Sequence, residues 1–385
     1  MGNKIVMTVQ GPIPPDAMGV THCHMHTTTD CSNWYTPHRA SSGSSIKDAK
    51  VSIELLGRLR IDPTSCIDNM HTNDMEMVIQ ELKELKMAGC DTMVDTCPTT
   101  DLPTRDPIGQ RKMSIASGVN IVCASGWYLA PTHPPYVKEK TADELCDIVV
   151  KELTEGCRYN WGTGLGYPVF CEDIKAGIIK VGVGGGFKAF NTEDEKKCFI
   201  ACCRAQVKTG RCFCVHPNGH EQLVYNPKLA SYLKDKPLRE SSLHQYLDIM
   251  EQEGVNLEKF YMNHSDCYTC SPDLLRSLLD RGIGLSFDGF NDETYLSGLG
   301  YGINYDNRQR MEVLSLLIKE GYAGQLLPSC ECYMKIMFKK YGGYGFSHVL
   351  ETIIPVLKYA YGVSQKDVDI MMIENPKKYL AYEEG

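Results

Sequence analysis

Gly19-Val20-Thr21-His22-Cys23-His24-Met25-His26 is the stretch from which the rest of the chain can be read. It is a strand candidate that carries a histidine at every second position. Side chains alternate along a strand, so His22, His24 and His26 are expected on one face. A single strand histidine is ordinarily a hydrogen-bonded core residue. Three on one face would each need a buried partner, whereas neutral imidazoles at this spacing can chelate a metal ion.

Seven more β-rich runs follow, at 91–97, 120–127, 177–183, 211–217, 259–265, 282–288 and 325–332, with helical stretches between them. That alternation signals a parallel sheet covered by helices, and eight strands are enough to close a barrel. We therefore expect an α/β fold, a (β/α)8 TIM barrel, with residues 1–385 as one domain. Helix starts are marked by Thr141 with Glu144 and by Thr192 with Glu195, both capping-box pairs, and by Ser271-Pro272. The polar, Ser- and Gly-rich segment 34–71 is expected as a long first βα loop, partly helical, over the barrel mouth. A second irregular stretch spans 156–170.

Composition narrows the function classes. The chain is 43% hydrophobic and 23% charged with a net charge of -8 over 385 residues, values of an ordinary globular protein. Lys and Arg form no stripe, so a nucleic-acid groove is not expected. No apolar run has the length of a membrane span. Eighteen cysteines suggest a disulfide scaffold, but a domain this large buries enough core without one. Several, such as Cys198, Cys202 and Cys203, sit in apolar runs where a thiol packs as a small hydrophobe. From the opening Met1-Gly2-Asn3-Lys4 no secretory leader is expected, and Val6 sits where a myristoylation motif wants Ser or Thr. The expectation is a reduced, cytoplasmic protein.

Other strands carry chemistry at matching places. Lys180 lies inside the apolar run 177–183, where an ammonium is costly to bury. It either pairs with an acid or reacts with carbon dioxide to give a carbamate able to bridge two metals. His216 and His264 each end a strand, where barrel enzymes collect catalytic groups. Leu327-Pro328-Ser329-Cys330-Glu331-Cys332 ends the eighth run with an acid between two thiols, any of which could ligate.

The ordered set His24-x-His26, Lys180, His216, His264 and a strand-eight acid resembles the phosphotriesterase family of the amidohydrolase superfamily. The resemblance extends to Thr8 through Ile13, Met93-Val94-Asp95-Thr96, Arg105-Asp106, Ser125-Gly126-Trp127-Tyr128, His264-Ser265-Asp266 and Glu374-Asn375-Pro376. It implies an N-terminal β-hairpin before the barrel and two divalent metals at the C-terminal mouth. His24, His26 and the strand-eight acid would hold the buried ion, and His216 and His264 the exposed one. Lys180, carboxylated, would bridge them with a hydroxide. Tyr128 matches a position that touches the reacting end of the substrate in lactone-hydrolysing members. His22 has no ligand counterpart. The sequence departs from the family pattern at Met25, usually Glu, and at Glu331, usually Asp. Zinc is the metal favoured, with manganese, cobalt and iron as alternatives, and a homodimer is implied.

A bridging hydroxide would attack a carbonyl, with Glu331 as proton carrier. A lactone is the first substrate expected, then an N-acyl amino acid or similar amide, then a phosphoester or phosphotriester. The remaining alternative is a non-catalytic binding barrel with a degenerate metal site. Segments 34–71, 130–139 and 289–307 are the loops expected to choose among small-molecule substrates.

Overall fold

The computed structural model describes residues 4–38, 43–98, 105–159, 170–184, 189–217, 238–296 and 304–383. Eight parallel strands form its centre: β1 Thr21–Met25, β2 Thr92–Asp95, β3 Asn120–Trp127, β4 Ile178–Gly182, β5 Cys212–His216, β6 Phe260–Met262, β7 Gly284–Phe287 and β8 Leu326–Pro328. Each pairs with the next in chain order from β1 to β8. All eight expected runs are therefore strands. They read as apolar runs because a parallel sheet between helices is buried on both faces. Inward residues such as Val94, Val122, Ala124, Ile178, Cys214 and Leu327 form a filled inner core. Outward ones such as Met93, Ile121, Ile179 and Phe213 pack under the helices.

The first and last strands meet through a side chain. Ser329, just past β8, accepts from the His24 amide at 3.0 Å and donates to the His24 carbonyl at 2.7 Å. One hydroxyl thus satisfies a backbone donor and a backbone acceptor at the seam where no strand ladder runs.

Helices follow the strands in turn: α1 Met75–Met87, α2 Pro107–Ser117, α3 Ala142–Thr154, α4 Glu193–Thr209, α5 Ser242–Gln252, α6 Pro272–Leu279, α7 Asn307–Lys319 and α8 Ile354–Tyr361. Thr141 forms a complete capping box with Glu144. Thr192 caps α4 by accepting from the Glu195 amide at 3.1 Å, but Glu195 does not reciprocate. Its buried carboxylate takes the amides of Ala130 and Asn191 at 3.0 and 2.9 Å instead, tying the loops after β3 and β4 together. Ser271 precedes Pro272 at the start of α6 without a side-chain cap bond.

An N-terminal hairpin, Lys4–Thr8 with Gly11–Ile13, pairs with Tyr382–Glu383. Val6 and Met18 pack against the inner core, closing the end of the barrel opposite the site. Of the segment 34–71, the described residues 34–38 and 43–71 form a loop with short helical turns, residues 39–42 lie outside the described residues, and Trp34 reaches the mouth. Of the stretch 156–170, Cys157–Arg158 pairs with Phe170–Cys171, and 160–169 lies outside the described residues.

The strict alternation expected for β1 fails at one point. Thr21 pairs with Thr92 and His22 with Met93, but Met25 pairs with Asp95, so Cys23 and His24 both oppose Val94. This is a β-bulge, which re-aims the side chains beyond it. Cys23 joins the inner core while His22 is level with Met93 of the outer layer. His22 is buried, its imidazole held neutral by burial with a pKa of about 4. It does not share the face of His24.

Candidate metal centre

Strand ends bring the residues singled out from sequence into one cavity at the C-terminal mouth. His24 and His26 arrive from β1, Lys180 from β4, His216 from β5, His264 from beyond β6 and Glu331 from beyond β8. The His264 ring centroid lies 4.8 Å from that of His24 and 4.6 Å from that of His216.

Glu331 is drawn in among the imidazoles. Its Oε1 lies 2.8 Å from His26 Nε2 and 3.3 Å from His24 Nε2. Burial alone would raise its carboxyl, but His264 and His24 hold it well below the usual carboxylate range. The two thiols that compete with it from sequence turn elsewhere. Cys330 Sγ faces the Gly345 carbonyl at 3.5 Å, and Cys332 Sγ accepts from Asn291 Nδ2 at 2.6 Å.

Asp288, just past β7, was not singled out from sequence, yet it organises the floor of the site. Its Oδ2 is 2.5 Å from His24 Nδ1, and its Oδ1 is 2.8 Å from His264 Nδ1. Both oxygens also lie 3.1 Å from the His264 amide. That amide contact accompanies a left-handed backbone at His264, φ 53°, the one non-glycine residue with positive φ among the described residues. Such a conformation persists only when surrounding groups hold it. A carboxylate on Nδ1 of each ring fixes the tautomer that leaves Nε2 free to ligate. The signal in the sequence was Ser286-Phe287-Asp288-Gly289, an acid at a strand end followed by glycine. A Cβ on Gly289 would stand 2.4 Å from Asp266 Oδ2, so no side chain fits there.

His26 is oriented from its other side. Its Nδ1 lies 3.0 Å from Cys97 Sγ and 3.8 Å from Asp95 Oδ1. Burial pushes the Cys97 thiol up to about 11, so it stays protonated at neutral pH. Asp95 is filled by the amides of Thr27 and Cys97 at 2.9 and 3.0 Å and by the Thr27 hydroxyl.

Lys180 is buried, and its Nζ donates to Asn263 Oδ1. Among the described residues it forms no ion pair, so the salt bridge considered from sequence is not there. Burial keeps His216 neutral by lowering its pKa well below the ordinary value. Tyr128 Oη sits 3.3 Å from His216 Nε2. Burial first, and Glu331 second, raise the phenol well above its ordinary value, so it is protonated. Gly182 leaves room for that ring, since a Cβ there would lie 2.5 Å from Tyr128 Cδ2.

The donor set fits metal ions. His24, His26 and Glu331 present three ligand atoms within 4.8 Å of one another, as do His24, His264 and Asp288, and also His26, Asp95 and Cys97. We read the first as a ligand group and the other two as supports, because Asp288 and Asp95 already accept amide and Nδ1 contacts. Among the described residues His264 Nε2 is buried with no partner, which leaves it open to a ligand at the cavity.

The chain is similar to known proteins over nearly its whole length. The sequence profile of the phosphotriesterase family matches residues 4–228 and 235–380. The N-acetyltaurine hydrolase of Xenopus tropicalis is 30% identical over 383 residues, covering 98% of each chain. A phosphotriesterase-related protein of Nematostella vectensis is 29% identical, covering 99% of this chain and 100% of that one. Among solved structures, a resiniferatoxin-binding protein from Rhodobacter sphaeroides superposes with a TM-score of 0.81 at 28% identity. It covers 98% of this chain and 94% of its own.

Proposed function

Because the chain belongs to the phosphotriesterase family of metal-dependent hydrolases, we propose that it hydrolyses the amide of a small N-acyl amine. The observation that carries the metal-centre reading is the approach of His24 Nε2 and His26 Nε2 to one oxygen of Glu331, beside an unpartnered His264 Nε2. The amide is put first because relatives aligned over nearly the whole chain are named for an amide substrate. A lactone, first in the sequence reading, is the second reading and rests on Tyr128 beside His216.

His24, His26 and Glu331 would hold one divalent ion, His216 and His264 the other. Lys180, after its free amine adds carbon dioxide and loses a proton, would reach both as a carbamate. When bound, such a pair supplies hydroxide at neutral pH and polarises the carbonyl oxygen. Zinc is the favoured metal, since imidazole and carboxylate suit it. Glu331, ionised in its histidine setting, takes the proton of the attacking water and passes it to the leaving amine. Tyr128, kept protonated by burial, donates to the oxygen on which charge develops. Asp288 holds two imidazoles in the ligating tautomer throughout. The cysteines, all free, suit a reduced cytoplasmic setting, and no helix among the described residues is long and apolar enough to cross a membrane.

The test is metal analysis of the purified protein beside a panel of N-acyl amines, lactones and phosphoesters. The expected result is two equivalents of metal and turnover of acyl amines. His216→Asn should abolish turnover with an unchanged circular dichroism spectrum. Full activity in that variant would overturn the site. Less than two equivalents with no turnover across the panel would leave a binding barrel.

A further inference from the structure

Beyond the histidines, the cavity carries more negative charge than the chemistry uses. Its charged lining among the described residues is Asp30, Asp266, Asp288, Asp292 and Glu331 against Lys180 and Arg310. Asp266 is spent on Arg310, 2.8 Å from its Nε. Asp288 and Glu331 are spent on the imidazoles.

Asp30 and Asp292 are left. Among the described residues, Asp30 Oδ1 accepts from the Ser32 amide, at 2.9 Å. Asp292 Oδ1 accepts from the Thr294 hydroxyl at 2.6 Å, and its Oδ2 from the Tyr333 hydroxyl at 3.4 Å. Arg310 donates to the Asp292 backbone carbonyl at 3.2 Å, and its charge acts on the carboxylate through space without forming an ion pair. Neither carboxylate forms an ion pair with a described Lys or Arg.

The walls beside them are aromatic. Trp34 and Tyr128 face each other with ring centroids 5.8 Å apart, and Tyr305 and Tyr333 line the same space. Thr96 lines it too, with a fully buried hydroxyl that has no partner among the described residues, so it is open to a hydrogen bond from a ligand. Aromatic faces attract cations through the ring quadrupole. Carboxylates held in a confined cavity without an ion pair raise the local concentration of cations and repel anions.

We infer that the substrate is an acyl amide whose amine portion carries a second, protonated amino group, recognised by Asp30, Asp292 and the aromatic wall. This rests on the amide-hydrolase reading above and sharpens it. The charge preference is opposite to that of a site built for a sulfonate-bearing amide such as N-acetyltaurine.

Three acetamides of matched length test it: N-(2-aminoethyl)acetamide, N-propylacetamide and N-acetyltaurine. They present an ammonium, a methyl and a sulfonate at one position. With the metal-loaded full chain at pH 7 and low salt, kcat/KM should fall in that order, by about tenfold between ammonium and methyl. Asp292→Asn and Asp30→Asn should each compress the ammonium-to-methyl ratio several-fold. Added salt should compress it in the unaltered chain, because ions screen the charges. A sulfonate handled as well as the ammonium, or a ratio unmoved by both substitutions, would overturn the inference and leave the hydrolase reading intact. If none of the three is hydrolysed, the amide reading fails, and calorimetric binding of the same compounds still decides the charge preference. Tightest binding of the ammonium would support it, and any other order would overturn it.

Discussion

Two buried clusters of charge among the described residues are built on opposite plans. One is centred on Glu152 of α3. Its Oε1 accepts from Arg105 Nη2 at 2.5 Å, the Arg158 amide at 2.7 Å and Arg158 Nε at 2.9 Å. Its Oε2 accepts from the Ser125 hydroxyl at 2.5 Å and from both guanidiniums at 3.3 Å. The other cluster is the mouth, where among the described residues His264 Nε2 has no partner and Lys180 meets an amide oxygen without an ion pair. Glu152 and Glu331 are both held below the ordinary carboxylate range, so perturbed ionisation does not separate them. Saturation does. An acid with every lone pair filled by the fold is structural, while donor atoms left open around a cavity await a ligand.

The largest effect should come from exchanging roles at the mouth. Glu331→Gln removes a ligand charge and the proton carrier, so kcat should fall by about 10³, in the range general acid–base groups supply. The metal-free protein should lose some stability, since His264 and His24 favour the ionised carboxylate, but less than Glu152→Gln loses. A large loss of stability in this variant would erase the distinction between the two clusters.

Glu152→Gln should do the reverse, costing about 3–5 kcal/mol of stability by leaving buried guanidiniums uncompensated, with kcat per folded molecule retained. The effect has a pH signature. Glu152 has a folded pKa of about 2 against an ordinary 4.5. A depressed carboxylate pKa gives stability that is full above pH 4.5 and lost as pH falls toward 2. The gap between unaltered and variant chains in urea unfolding should therefore narrow from pH 5 to pH 3. A gap constant with pH would mean that Glu152 acts by packing alone.

Asp288→Asn tests the boundary, since Asp288 is saturated like Glu152 but by the ligands of the mouth. Metal affinity should drop about 10- to 100-fold, the usual cost of removing a carboxylate behind a ligating histidine. Competition with a chelator reads it directly. Unchanged affinity would demote Asp288 to a purely structural acid.

What could be read from sequence follows the same division. The eight strands were legible because a parallel strand buried on both faces writes its burial into consecutive residues. The first turn of α3 was legible because Thr141 and Glu144 interact three residues apart. His24, Lys180, His216 and Glu331 stood out because polar groups at strand ends or within apolar runs conflict with local pattern. Asp288 did not stand out, because an acid after Phe287 is unremarkable until β7 is set beside β6 and His264 turns onto it. The bulge at Cys23 and His24 was invisible for a related reason, since it exists only as a register against Val94. Glu195 shows the limit of a local motif. Its spacing promised half a capping box, and the fold spent it on Ala130 and Asn191 instead.

The smallest effect expected lies at the edge of the open cluster, at Gly182. A Cβ there would meet Tyr128 Cδ2 at 2.5 Å, and the ring could yield only by shifting relative to His216. Gly182→Ala should lower kcat by about tenfold or less, because a small displacement of a positioning group weakens transition-state contacts without emptying the site. The same loss could come from strain in β4, so the variant alone does not decide. Tyr128→Phe removes the hydroxyl and keeps the ring. If Gly182 acts through Tyr128, the two losses will be non-additive, and Gly182→Ala will cost little more in the Tyr128→Phe background. Additive losses would show that Gly182 shapes the strand independently of the phenol.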